Sequence, residues 1–445
     1  MQNNTLNELL IIGNGFDLQC KLKTKYTDFF SKKYGIDFLT EKYIEKFPEQ
    51  TVIQCKQKAI DFFINVFKEK LYNLNVEKFI QSNSDSYGYL INYFKQIFRQ
   101  NFSDFEPTLT NWDIIFISSY VLMSNSDKFQ WVDIEKMIFK TVTIVFKNKK
   151  EIFSNSEFPN DQARMKFINI VQYCFKDNKD LSTSMLDSLK KFEKSFALYI
   201  KNLIYKSKDH YFKRSEKLLK YLTSSYNEEI VHLDVINFNY SLDENIVNQM
   251  IHEKRFSNIT FNSWTNIHGV ASWNDSYTRS QINKLHSNYK RLAPPIFGID
   301  WHDISDTTND IDFNDPRIIF TKSFRLIDNQ VNNMRDKKHQ FQKNINKIIF
   351  FGHSLGHADY SYFESLFDIY NIYDSNIELN FYYKKGSSDF LDRLSAQKTL
   401  EEIIKLLTSY GQTSTNQHGE NIVNKLLLEQ RLNLLPSPSI NKGTL

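Results

Sequence analysis

The sequence predicts an α/β protein whose mostly parallel sheet is interrupted by a long helical insertion. Short apolar runs rich in Ile, Val and Phe, which are typical of buried strands, occur before residue 40 and after residue 228. Several of them are followed by segments with apolar residues three and four positions apart, which are typical of helices. The intervening stretch is helical in pattern and has no glycine between 89 and 268. Alternating strands and helices favour a parallel sheet.

Each element follows from the same patterns. We predict strands at 9–12, 231–238, 258–261, 265–267, 317–321, 347–351 and 377–383, the last with the alternation of an edge strand. Helices are predicted at 25–33, 243–251, 361–370, 390–408 and 421–435. Residues 1–40 and 228–410 are therefore expected to form a discontinuous α/β core, and 41–227 a mainly helical insertion. Residues 411–445 are expected to form a C-terminal helix and a flexible tail.

Bulk composition narrows the function. The 445 residues carry 56 basic and 52 acidic side chains, so the net charge of +4 does not indicate a nucleic-acid surface. No apolar run approaches the ~18 residues of a membrane span, and no secretory segment is recognisable, so we expect a cytoplasmic protein without a membrane partner. The three cysteines are far apart and lack metal-ligand spacing, so no metal is expected.

Glycine is scarce and concentrated. The chain has 12 glycines where average usage of ~7% would give about 31. Six lie in or beside strand-like runs, where the backbone must turn sharply or approach something closely. Although any one of them is explained by a tight turn, together they predict a shared site: Gly13, Gly15, Gly269, Gly298, Gly352 and Gly356.

The first motif is Gly13-Asn14-Gly15-Phe16-Asp17, directly after a buried strand. A Gly-x-Gly turn at the carboxyl end of a strand presents backbone N–H groups where phosphates and dinucleotides bind in open α/β folds. The third glycine of the dinucleotide fingerprint is missing. Asp17 would repel a phosphate, so it is expected to hold a ribose hydroxyl or orient a water.

Polar side chains follow two later strands. Asn237 and Asn239 are two positions apart, so both side chains face the same way, with Tyr240 next to them. Such amides fix substrate hydroxyls or a water, or they cap a turn. His268 precedes Gly269 and is either a general base near neutral pH or a structural histidine.

The fourth motif, Gly352-His353-Ser354-Leu355-Gly356, matches the nucleophile elbow of serine hydrolases. Such enzymes need an acid and then a histidine after the serine. His357 is too close in sequence for that role, and His418 lies in a polar stretch. A metal on His353 and His357 would need a helix, whereas the two glycines favour a turn.

Together and in order, these motifs resemble the AbiH-type bacteriophage abortive-infection family, over roughly 11–363. The residues that carry the resemblance are 11–18, Thr24, Tyr26, Asp28, Phe29, 237–240, 267–269, 297–300, 320–324 and 351–360, which ends in Asp359 and Tyr360.

The order is also similar to a divergent sirtuin-type NAD-binding domain, which is Rossmann-like. That resemblance implies that the Gly13 loop holds a diphosphate and that the 352–354 turn holds the adenosine-side ribose. Asn239 would position the nicotinamide ribose or a water, and His268 would act as the base. The other residues expected at the nucleotide site are Asn14, Phe16, Asp17, Asp28, Asn237, Tyr240, His353 and Asp359.

Some positions depart from the sirtuin pattern. Asn14 replaces a small Ala, Ser241 replaces an Asp, Phe30 replaces an Arg, and the four-cysteine zinc module is absent. Its absence argues against protein deacetylation more strongly than against NAD hydrolysis.

We therefore expect a bacterial anti-phage protein that hydrolyses NAD or a related nucleotide by cleaving its N-glycosidic bond, without a metal. One alternative is a nucleotide-binding switch that acts through a partner without turnover. Another is a serine hydrolase at Ser354. The helical insertion would mediate homo-oligomerisation or contact a partner of the defence system.

Overall fold

The computed structural model describes the chain in eleven stretches: residues 5–75, 88–102, 105–123, 131–175, 180–224, 229–272, 294–304, 314–328, 341–356, 359–413 and 421–439. Contacts within the chain group it into two compact units. A sheet unit comprises Met1–Thr24, Ala197–Ile296 and Leu326–Leu445, and a helical unit comprises Lys25–Phe196 and Phe297–Arg325. None of the described helices is both long and apolar enough to cross a membrane.

The sheet unit is built on one six-stranded sheet. Its strands are β1 (Thr5–Ile12), β2 (Ile230–Asn237), β3 (Ile259–Asn266), β4 (Lys347–Phe351), β5 (Glu378–Tyr383) and β6 (Leu432–Pro436). The spatial order is β3-β2-β1-β4-β5-β6, and every pairing is parallel. The predicted α/β class with a mostly parallel sheet is confirmed, and this order is that of a Rossmann-type fold.

Burial explains why the central strands are continuous apolar runs. Leu9 and Ile11 of β1 pack into one hydrophobic cluster, whereas Leu10 and Ile12 pack into another. Successive side chains of a strand point to opposite faces, so both faces of β1 are covered. A strand buried on both sides needs apolar residues at every position, and this is the pattern of 9–12.

Helices of the sheet unit follow most of the strands. They are α1 (Asn14–Gln19), α10 (Glu244–His252), α12 (Tyr360–Ile369), α13 (Asp389–Thr413) and α14 (Ile422–Leu428). The long α9 (Leu181–Leu222) contributes residues to both units and is divided by non-helical angles at Ser207.

The helical unit contains α2 (Tyr26–Lys33), α3 (Ile36–Lys46), α4 (Val52–Asn73), α5 (Tyr89–Asn101), α6 (Asn111–Leu122), α7 (Trp131–Lys147) and α8 (Asp161–Cys174), and α11 (Lys322–Asp328) begins in it. Its core is largely aromatic: Phe29 packs edge-on against Phe196 at 5.2 Å between ring centroids. A buried ion pair joins Arg325 to Glu193 at 2.7 Å. The pair links two parts of the chain that are distant in sequence. Breaking it would be costly, because it would leave a buried charge without its partner.

The structure differs from the predicted elements in three places. Residues 317–321 are not a strand: Pro316–Phe320 is a 3-10 helix whose first turn is capped by Asp315. The two short strands at 258–261 and 265–267 are one strand, β3, with a register shift opposite Leu233 and Asp234.

The third difference lies at the C-terminus. The helix predicted at 421–435 ends at Leu428, and β6 follows it after Gln430, whose φ of +55° reverses the chain. The segment 377–383, predicted at an edge, therefore lies between β4 and β6. Residues 440–445 of the predicted tail lie outside the described residues.

Candidate functional site

The predicted motifs of the sheet unit meet at one edge of the sheet. They follow β1, β2, β3 and β4, and the carboxyl ends of parallel strands lie on the same side. The chain runs from β1 to β2 on one side and later places β4 on the other side of β1. This is the topological switch point, where open α/β sheets form their ligand crevice.

The turn after β1 packs directly on the turn after β4. Gly13 N donates to Phe351 O at 2.9 Å, and Gly15 N donates to Gly352 O at 2.7 Å. A Cβ on Gly15 would lie 2.4 Å from Gly352 Cα, and one on Gly13 would lie 2.5 Å from His353 Cα. These glycines are therefore required for the backbones to approach each other. Their N–H groups already donate to carbonyls of the protein, so they are not available to the diphosphate that the sequence predicts here.

The two asparagines after β2 build the adjoining loop. Asn237 is fully buried; its Nδ2 donates to Leu242 O at 2.7 Å and its Oδ1 accepts from Asn239 N at 2.8 Å. Asn239 Nδ2 donates to Gly13 O at 2.8 Å. Asn239 thus ties the loop after β2 to the turn after β1, while Asn237 holds the loop's own shape.

Two histidines share one carboxylate at this edge. Asp359 Oδ1 lies 3.2 Å from His268 Nε2, and Asp359 Oδ2 lies 3.1 Å from His353 Nε2. His353 Nδ1 accepts the N–H of Leu355 at 3.0 Å, so the proton of a neutral His353 is on Nε2, facing Asp359. Leu355 is held at φ +54°, in the left-handed region that costs a side-chain-bearing residue about 1 kcal/mol or more.

Aromatic side chains pack against His268 and His353. The ring centroid of Phe238 lies 5.3 Å from that of His268 and 4.4 Å from that of His353. Tyr362 approaches His268 at 5.9 Å. Both histidine side chains are only 5% exposed, and that of Asp359 is 13% exposed. The carboxylate therefore acts on both imidazoles in a region of low dielectric, where its interaction is stronger than in water.

Asp17 lies behind the site rather than in it. The residue is 1% exposed, and its carboxylate accepts hydrogen bonds from Tyr211 Oη at 2.6 Å and Ser241 Oγ at 2.5 Å. Burial raises the pKa of Asp17 to about 6, although both hydrogen bonds oppose this shift. Since each carboxylate oxygen contacts a protein hydroxyl, Asp17 joins α1 to α9 and to the loop after β2.

The remaining predicted residues are spread around this centre. Asn14 Oδ1 accepts from Thr24 Oγ1 at 2.5 Å, and Tyr240 Oη donates to Ile296 O at 3.2 Å. Phe16 is fully buried and packs edge-on against Phe351. Asp28 lies on α2, in the helical unit.

Ser354 is exposed, and within the described stretches no hydrogen bond joins its hydroxyl to a histidine. His357 and His418 lie outside the described residues. Among the residues that are described, no group of three His, Cys, Asp or Glu side chains has the arrangement of a metal site. The nucleophile elbow therefore exists as a sequence pattern, without a hydrogen-bonded base in the part of the chain that is described.

Sequence reasoning missed the contacts of four groups. Tyr211 lies 194 positions from Asp17 and carried no local signal, and the Thr24 hydroxyl was known only as part of a family pattern. Ser241 was recognised only as a departure from the sirtuin pattern. The bridging position of Asp359 was not predicted, although an acid five residues after Ser354 indicates a second polar group on the same turn.

A family model described as "Bacteriophage abortive infection AbiH" matches residues 9–383. This range covers most of the chain and all four motifs, so the chain belongs to the AbiH family, and its role is in abortive infection, a form of anti-phage defence. No curated protein and no solved structure matches this chain.

Proposed function

From the premise that this chain belongs to the AbiH abortive-infection family, we propose that it hydrolyses NAD or a related nucleotide at the carboxyl edge of its sheet, using a sirtuin-like core. One observation carries the proposal. Asn239 and the His268–Asp359 pair lie on neighbouring turns at the switch point of a Rossmann-ordered sheet. A dinucleotide binds at this position in such sheets.

The proposed reaction needs few catalytic groups from the protein. As the C1′–N bond of the nicotinamide ribose breaks, its electron pair leaves with nicotinamide and positive charge builds on the ribose. A water oxygen bonds to C1′ and gives its proton to His268, so the products are nicotinamide and ADP-ribose. Placing the water and excluding bulk solvent supply most of the acceleration.

Individual residues have distinct parts in this proposal. Asp359, 3.2 Å from His268 Nε2, orients the imidazole and stabilises the imidazolium that forms when it accepts the proton. Asn239 is fixed by its bond to Gly13 O, so its amide oxygen positions the water or a ribose hydroxyl. Ser354, at the exposed tip of the turn, contacts the adenosine-side ribose.

Nicotinamide release from NAD tests the proposal. Asn239→Ala and His268→Ala should each lower the rate at least a hundredfold, within the ~10²–10⁴ typical of positioned acid–base groups. Matched controls are Asn248→Ala and His252→Ala, both exposed on α10, which should leave the rate unchanged. Thermal unfolding of each variant separates lost chemistry from lost folding.

Two results would overturn the proposal: no nicotinamide released by the wild-type chain, alone or with extract of infected cells, or equal rates in wild type and both site variants. A second candidate, a nucleotide switch without turnover, is favoured by the burial of His268 and His353, because a general base must reach a substrate water. NAD-induced thermal stabilisation without nicotinamide release would support it.

A further inference from the structure

Helix α13 (Asp389–Thr413) is apolar on two faces. Its inner face, which includes Ile403 and Leu407, is buried in the core of the sheet unit. Its outer face carries large apolar side chains in solvent: Phe390 is 74% exposed, Leu394 38%, Leu400 41% and Ile404 43%. They form two neighbouring (i, i+4) pairs, Phe390 with Leu394 and Leu400 with Ile404, and exposed apolar side chains grouped in this way are typical of an interaction surface.

The outer face has a repeat suited to packing against a helix. The repeat is seven residues long and runs through Phe390, Gln397 and Ile404. Leu394 lies four positions after Phe390, and Glu401 lies four positions after Gln397. This spacing keeps one stripe of a helix facing a partner helix over about 21 Å. The face is therefore shaped for a helix rather than for a flat or extended partner.

The charges on this face are self-complementary about its centre. Positions related by a two-fold axis at Gln397 are Phe390 with Ile404, Leu394 with Leu400, and Arg393 with Glu401. Arg393 and Glu401 are both exposed and lie about 12 Å apart along their own helix, beyond the (i, i+4) spacing of pairs within one helix.

We propose that α13 is a homodimer interface, in which α13 of a second copy packs antiparallel across a two-fold axis at Gln397. In this arrangement each Arg393 faces Glu401 of the other copy, and each Phe390 meets Ile404. A parallel arrangement would place Arg393 on Arg393 and Glu401 on Glu401, which is repulsive. A central polar residue such as Gln397 fixes the register of a helix pair.

A cysteine at the axis tests this geometry in the full-length chain. In Gln397→Cys the two thiols meet across the axis, so mild oxidation should give a covalent dimer. Ser409→Cys, exposed on the same helix, is the control: twelve residues from the axis, its two copies lie about 36 Å apart and should not cross-link. The native Cys20, Cys55 and Cys174 are buried and do not compete.

A charge exchange tests the pairing independently of the cysteines. By sedimentation, Arg393→Glu and Glu401→Arg should each weaken dimerisation about tenfold, since each creates two like-charge contacts per dimer. Combining both changes restores the opposite charges and should restore the dimer. A wild-type chain that stays monomeric at high concentration, equal cross-linking at 397 and 409, or no recovery in the double variant would overturn the proposal.

Discussion

The turn after β1 and the turn after β4 both begin where a buried strand meets glycine, yet they use their groups in opposite ways. After β1 the N–H groups of Gly13 and Gly15 bond to Phe351 O at the end of β4 and to Gly352 O in the turn that follows it. The side chains of Phe16 and Asp17, in the adjoining α1, are buried. In the second turn His353 meets Asp359, and Ser354 is exposed. The Gly-x-Gly pattern therefore indicates that another group approaches the backbone closely. Here that group is the protein's own backbone at the end of β4.

The largest expected effect comes from breaking that approach. In Gly15→Ala the new Cβ would lie 2.4 Å from Gly352 Cα, and neither backbone can move without losing the bond from Gly15 N to Gly352 O. We expect the free energy of unfolding to fall by about 3 kcal/mol or more, at the upper end of overpacking effects. Urea unfolding measures it.

Gly88→Ala is the matched control for that change. Among the described residues, a Cβ at Gly88 would meet Asn92 Nδ2 alone, at 3.8 Å, so the free energy of unfolding should change by less than about 0.5 kcal/mol. If Gly15→Ala were as mild as Gly88→Ala, the two turns would not be in the contact described here.

The second prediction concerns the buried side of the first turn. Burial raises the pKa of Asp17 from 3.8 to about 6, so the folded state binds this proton more tightly than the unfolded state does. The stabilisation is therefore fully present below pH 3.8 and is lost as the pH rises through about 6. Between pH 3.8 and 7 the wild type should lose on the order of 3 kcal/mol relative to Asp17→Asn.

Urea unfolding of both proteins across this pH range measures the difference. Asp209→Asn, on the exposed surface of α9, is the control and should follow the wild-type curve. A constant gap between wild type and Asp17→Asn at every pH would contradict the view that Asp17 is buried between Tyr211 and Ser241.

The same contrast explains what the sequence could and could not predict. Continuous apolar runs predict β1, β2 and β4, and an alternating pattern predicts β5. Because the sheet is parallel, the motifs that follow β1, β2 and β4 lie at one edge. The partner of Asp17 could not be predicted, because Tyr211 is 194 positions away and looks like any other helical tyrosine.

β6 was missed for a related reason. Its leucines continue the spacing of the preceding helix, and the break depends on one backbone angle, at Gln430, which has no sequence signature. Propensity alone cannot separate a short helix from an edge strand when the apolar residues are Leu. The pairing with β5, a tertiary contact, decides the outcome.

The smallest effect is expected at the exposed tip of the second turn. Ser354→Ala removes a hydroxyl in solvent, so the free energy of unfolding should change by less than about 0.5 kcal/mol. If Ser354 contacts the adenosine-side ribose, KM for NAD should rise a few-fold while kcat for nicotinamide release is unchanged, because the hydroxyl is distant from the reacting bond. A nucleophilic serine would instead lose all turnover in this variant and would react with a fluorophosphonate probe. Steady-state kinetics together with probe labelling thus distinguish a binding turn from a nucleophile elbow.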